Sequence, residues 1–134
     1  MTGERELKRL LAAMKPELRE GEFVFCSVSP EALEGLRIEP VGWFREKEGI
    51  TLIVERNAAD SAGLKYECVM RMITLTVHSG LEAVGFLAEI TNRLAEAGIS
   101  VNPVSAFYHD NLFVPSEKAP AALKLLVELM NGAV

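Results

Sequence analysis

A chain of 134 residues has the length of one ordinary domain, or of two very small units sharing a core, and leaves no separate substrate domain. Hydrophobic residues make up 49% and charged residues 25%, so a packed core is within reach and wholesale disorder is excluded. The net charge of -5 argues against nucleic acid as a partner, because phosphate neutralisation needs clustered Lys and Arg. Cys26 and Cys68 stand apart, with no CxxC spacing and no nearby His. They read as small buried hydrophobes of a reducing compartment, and no disulfide, metal or cofactor is expected.

The opening stretch carries Glu4, Arg5, Glu6, Lys8 and Arg9 among its leucines, unlike the apolar core of a signal peptide. No run approaches the ~18 apolar residues of a membrane span, so a cytoplasmic protein with no membrane partner is expected. Leu7, Leu10, Leu11 and Met14 recur at helical spacing and stop before Pro16, predicting an amphipathic helix. Phe23 to Val28 is a short apolar run between Gly21 and Pro30, the length of a buried strand. Ser29 before Pro30, Glu31, Ala32 and Leu33 predicts a capped helical turn ended by Gly35. A strand over Ile38 to Phe44 turns through Glu46, Lys47, Glu48 and Gly49 and returns as Ile50 to Val54. Trp43 and Phe44 then point to opposite sides, one to the core and one to a surface between units. Residues 57–64 have room for about two helical turns.

From Met70 to Ser79 the chain alternates, with Ile73, Leu75 and Val77 on one face and Met72, Thr74, Thr76 and His78 on the half-polar other. Ala83, Leu87, Ile90, Leu94 and Ala97 repeat at helical spacing before Gly98. Ile99 to Tyr108 and Leu112 to Val114 predict a hairpin turning at His109, Asp110 and Asn111. A last helix follows from Pro120, with Ala122, Leu123, Leu126, Val127 and Met130 on its apolar face and Gly132 after its end. The order strand, helix, strand, strand, helix, read twice, is that of an α+β protein with the ferredoxin-like βαββαβ plan, two units in tandem with shared or abutting antiparallel sheets. The division falls between 1–66, with the leading helix, and 67–134. The second copy stops short of its fourth strand, which must come from the N-terminal half or from a partner chain, and a homodimer is the simplest closed answer.

The stretch MITLTVHSGLEAVGFLAEITNRLAEAGISVNPVSAFYHDNLFVP, Met72 to Pro115, resembles the ACT domain of aspartate kinases and related amino-acid-regulated proteins. The resemblance extends to EFVFCSVS and WFREKEGITLIV in the first half, and is closest to stand-alone tandem ACT proteins of bacteria. It implies a regulatory module without catalytic residues that binds a small effector, an amino acid, where one unit's first strand-to-helix loop meets a neighbouring unit. On this chain that loop is His78, Ser79, Gly80, Leu81, Glu82, Ala83, Val84, Gly85 and Phe86, with Asn102 on the following strand. Glycines at 80 and 85 let backbone approach a ligand, and free N–H groups opening the next helix attract a carboxylate. Glu82 and carbonyls are available to the ammonium. Many ACT loops place an Asp just before the glycine turn, where this chain has Ser79. Two other readings compete: a ligand-independent interaction or dimerisation module serving a regulated protein partner, and a small enzyme using His78 or His109. In the plain structural alternative the glycines merely shape a turn, and His109 with Asp110 serves the hairpin.

Overall fold

The computed structural model describes residues 2–77 and 85–132. The chain forms two compact units: Gly21–Met70, and Met1–Glu20 together with Arg71–Val134. The packing units thus differ from a single cut at 66/67, because the leading helix belongs with the C-terminal residues and the other unit is inserted behind it.

In the inserted unit, β2 (Phe23–Val28) leads to α2 (Pro30–Glu34), then the hairpin of β3 (Gly42–Arg45) and β4 (Ile50–Glu55), then α3 (Arg56–Ala62). Strand order is β3–β4–β2, with β4 antiparallel to both neighbours. Val24, Cys26, Val28, Ile50, Leu52, Val54 and Ala59 form its core, one face of the alternating strands plus the single buried position of α3. The Ser29 hydroxyl accepts from Ala32 N–H at 3.1 Å, so the predicted capped turn forms. The strand expected from Ile38 starts only at Gly42: Pro40 has no N–H for a ladder, and pairing begins after it. Gly63, with φ 70, ends α3.

The discontinuous unit holds α1 (Thr2–Ala13), β1 (Pro16–Leu18), β5 (Met70–Leu75), α4 (Phe86–Glu96), β6 (Asn102–Ser105), β7 (Asp110–Pro115) and α5 (Ala119–Met130). Its strand order is β1–β5–β7–β6. β1 pairs antiparallel with β5, Pro16 opposite Leu75 and Leu18 opposite Ile73, in the edge place beside the first strand that a fourth strand takes in a ferredoxin-like sheet. The missing strand therefore comes from the chain's own N-terminus. α1 packs on α4 and α5, burying Leu10 and Met14 with Ile73, Leu75, Phe86, Ile90, Leu94, Leu112, Val114 and Leu126.

Three local expectations need correcting. β6 is far shorter than Ile99 to Tyr108, and its hairpin turns at 106–109, closed by Ala106 N–H to His109 C=O at 2.9 Å, so Asp110 and Asn111 are strand residues. Trp43 and Phe44 are both exposed, at 56% and 71%, because β3 is an edge strand that no helix covers fully. Cys68 is exposed, and only Cys26 is the buried hydrophobe expected.

Candidate functional site

The loop read from the sequence lies between β5 and α4. His78, Ser79, Gly80, Leu81, Glu82, Ala83 and Val84 fall outside the described residues; Gly85, Phe86 and Asn102 are placed. Gly85 has φ 88, a left-handed conformation that favours glycine, and a Cβ added there would meet nothing within 4 Å. It precedes α4, its carbonyl accepting the first helical bond from Glu89 N–H at 2.9 Å. Among the described residues no side chain caps this helix. The N–H groups of its first turn have no intrahelical acceptor and, with the helix dipole, favour an anion. The counterpart in the inserted unit is built differently, since Ser29 caps α2 and Pro30 removes a donor.

Phe86 is 1% exposed, its ring in the core with Ile90 and Leu94, so it can offer a ligand only backbone. Packing that ring fixes where α4 begins. Asn102 is elsewhere. It stands opposite Phe113, on the sheet face away from Leu112 and Val114, which pack under the helices. It is also two residues, about 7 Å, further along β7 than Asn111, where β7 meets the end of β5. Within this unit Asn102 and Gly85 are not brought together.

What does gather at the end of β5 is a chain of polar groups that sequence reading missed. Arg19 Nη1 donates to Thr74 Oγ1 (3.3 Å), Thr74 Oγ1 to Asn111 Oδ1 (2.9 Å), and Asn111 Nδ2 to the Val104 carbonyl (3.4 Å). These bonds cross β5, β7 and β6 from the end of β1. Thr74 is 5% exposed and Met72 7%, so this part of the half-polar strand face is buried and the Thr74 hydroxyl needs these partners. One signal was available: polar residues at 74 and 111 inside apolar strands. Thr76 Oγ1 donates to the Met14 and Lys15 carbonyls, tying the end of β5 to the start of β1. In the adjoining hairpin Asp110 accepts from Ser105 Oγ, and Phe107 and Tyr108 stack edge to face at 4.9 Å, both exposed. His109 Nδ1 is buried with no hydrogen-bond partner among the described residues. Among them there is also no cluster of three His, Cys, Asp or Glu suited to a metal, and no helix long and apolar enough to cross a membrane.

No curated protein sequence matches the chain closely. Solved structures similar to it include a Vibrio cholerae protein of unknown function, named as a possible transport protein, at 48% identity over 94% of this chain and 96% of that one, with a TM-score of 0.83. The ligand-free regulatory subunit of Thermus thermophilus aspartate kinase is similar at 14% identity, covering 87% and 97% of the two chains, TM-score 0.58. E. coli aspartokinase III, in complex with aspartate and ADP, is similar at 14% identity over 86% of this chain and 33% of that one, TM-score 0.61. At 14% identity the likeness is one of fold. Family models of the ACT domain match residues 2–71 and again 67–128. With the split βαβ order of each unit and the regulatory domains of aspartate kinases among its structural neighbours, the chain belongs to the ACT-domain family, as a tandem of two ACT units.

Proposed function

We propose that this chain is an amino-acid-sensing regulatory module, without catalysis of its own, that binds its effector at the β5–α4 loop and works as a homo-oligomer. The observation that carries the reading is the opening of α4: a left-handed glycine, no capping side chain among the described residues, and a first turn whose N–H groups have no intrahelical acceptor. An amino acid's α-carboxylate suits those donors, while Ser79, Gly80, Glu82 and neighbouring carbonyls are left for its ammonium. Leu81, Ala83 and Val84 would shape the wall beside its side chain. His78 stands beside the loop in sequence. Asn102, on the opposite sheet face, would serve a ligand held by a partner copy. The regulatory subunit of Thermus thermophilus aspartate kinase among the similar folds supports a regulatory role, and two free cysteines fit a reducing cytoplasm.

The experiment is a thermal-shift screen against the common amino acids at millimolar concentration. A ligand at a hundredfold excess over its Kd contributes about 2.7 kcal/mol, which in a protein of this size raises Tm by several degrees. A second reading, a ligand-independent interaction module, has its own observation in the exposed Trp43, Phe44, Phe107 and Tyr108. It prevails if no amino acid moves Tm. Replacing His109 would bear only on the third reading, a small enzyme using His78 or His109, whereas replacing His78 would bear on the effector loop as well.

A further inference from the structure

The junction between α1 and β1 is strained. α1 ends at Ala13 and β1 opens at Pro16, so Met14 and Lys15 alone carry the reversal that lays the helix on α4 and α5. Lys15 has φ 39, and among the described residues it is the single non-glycine with a positive φ. It also precedes Pro16, whose ring pushes the residue before it towards extended backbone. Two separate preferences of Lys15 thus oppose the conformation it holds.

The ladder between β1 and β5 shows what a relaxed Lys15 would do. Arg19 N–H donates to Met72 C=O at 2.8 Å, and the register sets Glu17 opposite Thr74 and Pro16 opposite Leu75. Antiparallel alternation then makes Arg19, Glu17 and Lys15 the hydrogen-bonding positions of this edge, with Lys15 belonging opposite Thr76. Thr76 N–H donates instead to Met14 C=O at 2.8 Å, one residue out of that register, and its hydroxyl is shared between the Met14 and Lys15 carbonyls. Lys15 is therefore bulged out of a ladder that has a place for it. An extended Lys15 would add one pair to β1 and shed both sources of strain. It would also carry α1 off α4 and α5, uncovering Leu10 and Met14, which are buried there.

We propose that two copies of this chain exchange α1: Lys15 straightens in each, β1 grows by one residue, and each helix docks on α4 and α5 of the other copy. The occupant is a second copy because the vacated surface is the complement of this helix, and an exchanged α1 remakes the contacts it had. Those contacts cancel between the closed and exchanged forms, so the two hinges decide the balance. A short tether holds α1 at its own site with an effective concentration in the millimolar range. Left-handed strain at a non-glycine residue is worth about tenfold at each hinge and about a hundredfold for the pair, which sets the dimer Kd at about 10 µM. The proposal rests on the self-association part of the reading above and does not involve the effector.

The test is sedimentation of the full chain after incubation at about 100 µM a few degrees below Tm, where α1 undocks often enough to equilibrate. Wild type should be mostly dimeric. Release needs α1 to undock again, so the dimer diluted to about 1 µM in the cold should dissociate over hours and not seconds. Lys15→Gly accepts a positive φ and should raise the dimer Kd at least about tenfold while circular dichroism stays native. Lys15→Pro fixes φ near about −65° and should lower the Kd at least about tenfold. A dimer whose Kd is unmoved by Lys15→Gly, or that falls apart within seconds of dilution, forms through another surface; the exchange is then overturned and self-association stands. A wild type that stays monomeric overturns both, whatever Lys15→Pro does. If Lys15→Pro loses its fold, Lys15→Gly and the dilution rate decide.

Discussion

Docking of α1 as part of the C-terminal core is tested by Leu10→Ala. Leu10 is 1% exposed and packs in the cluster of Ile90, Leu94, Leu126 and Leu129, so the truncation removes buried methyl groups and leaves a cavity. Such substitutions cost roughly 2–5 kcal/mol, and about 3 is expected for a helix docked on only one side. An unfolding entropy of about 2.1 cal/mol/K per residue over 134 residues is about 0.28 kcal/mol/K, so Tm should fall by about 10 °C. Differential scanning calorimetry reads the shift, with exposed Arg9→Ala as a control expected within about 2 °C of wild type. Hydrogen exchange on the same variant should quicken in α4 and α5 before β2 and β4. A loss no larger than the control's, or one confined to β2 and β4, would refute the assignment of α1 and β1 to the C-terminal unit.

The remaining expectations concern the loop, a hairpin glycine and the thiols. Gly85→Ala should cost about 1 kcal/mol for its positive φ and leave effector affinity within about threefold, whereas Gly85→Asp should stay folded and lose about tenfold or more through carboxylate repulsion; isothermal titration beside circular dichroism separates them, and native affinity in the Asp variant would remove this loop from the site. Gly49→Ala should be the costlier glycine change, by about 2 kcal/mol or more in a denaturant titration, because its Cβ would lie 2.9 Å from the Val28 carbonyl oxygen at φ 156. Cys68 should react with a thiol reagent at once and Cys26 only on unfolding, since Cys26 is 4% exposed and burial raises its thiol pKa above the ordinary 9.0. A raised folded pKa means that the stability tied to this thiol is whole below about pH 9 and is lost as pH climbs towards the folded value; a Cys26→Ala variant should show a flatter alkaline limb.

Periodicity and punctuation alone determined much of this protein. Apolar spacing marked α1, α4 and α5, and Ser29 with Pro30 marked the cap of α2, because these signals act within a few residues and depend little on what packs elsewhere. The strand, helix, strand, strand, helix order was legible for the same reason, and with it the ACT resemblance. Tertiary structure decided what local signals cannot carry. A three-residue strand such as β1 has too few positions to show alternation, so only its ladder with Leu75, Thr74 and Ile73 shows that the N-terminus supplies the missing edge. Strand lengths in β3 and β6 were set by pairing, with proline limiting the first. The placement of Asn102 across the sheet from α4 followed from register, in which a shift of one residue exchanges the two faces. The exposure of Trp43 and Phe44 followed from the same cause: an apolar residue in a strand is buried only if another element covers that strand, and β3 lies at the edge.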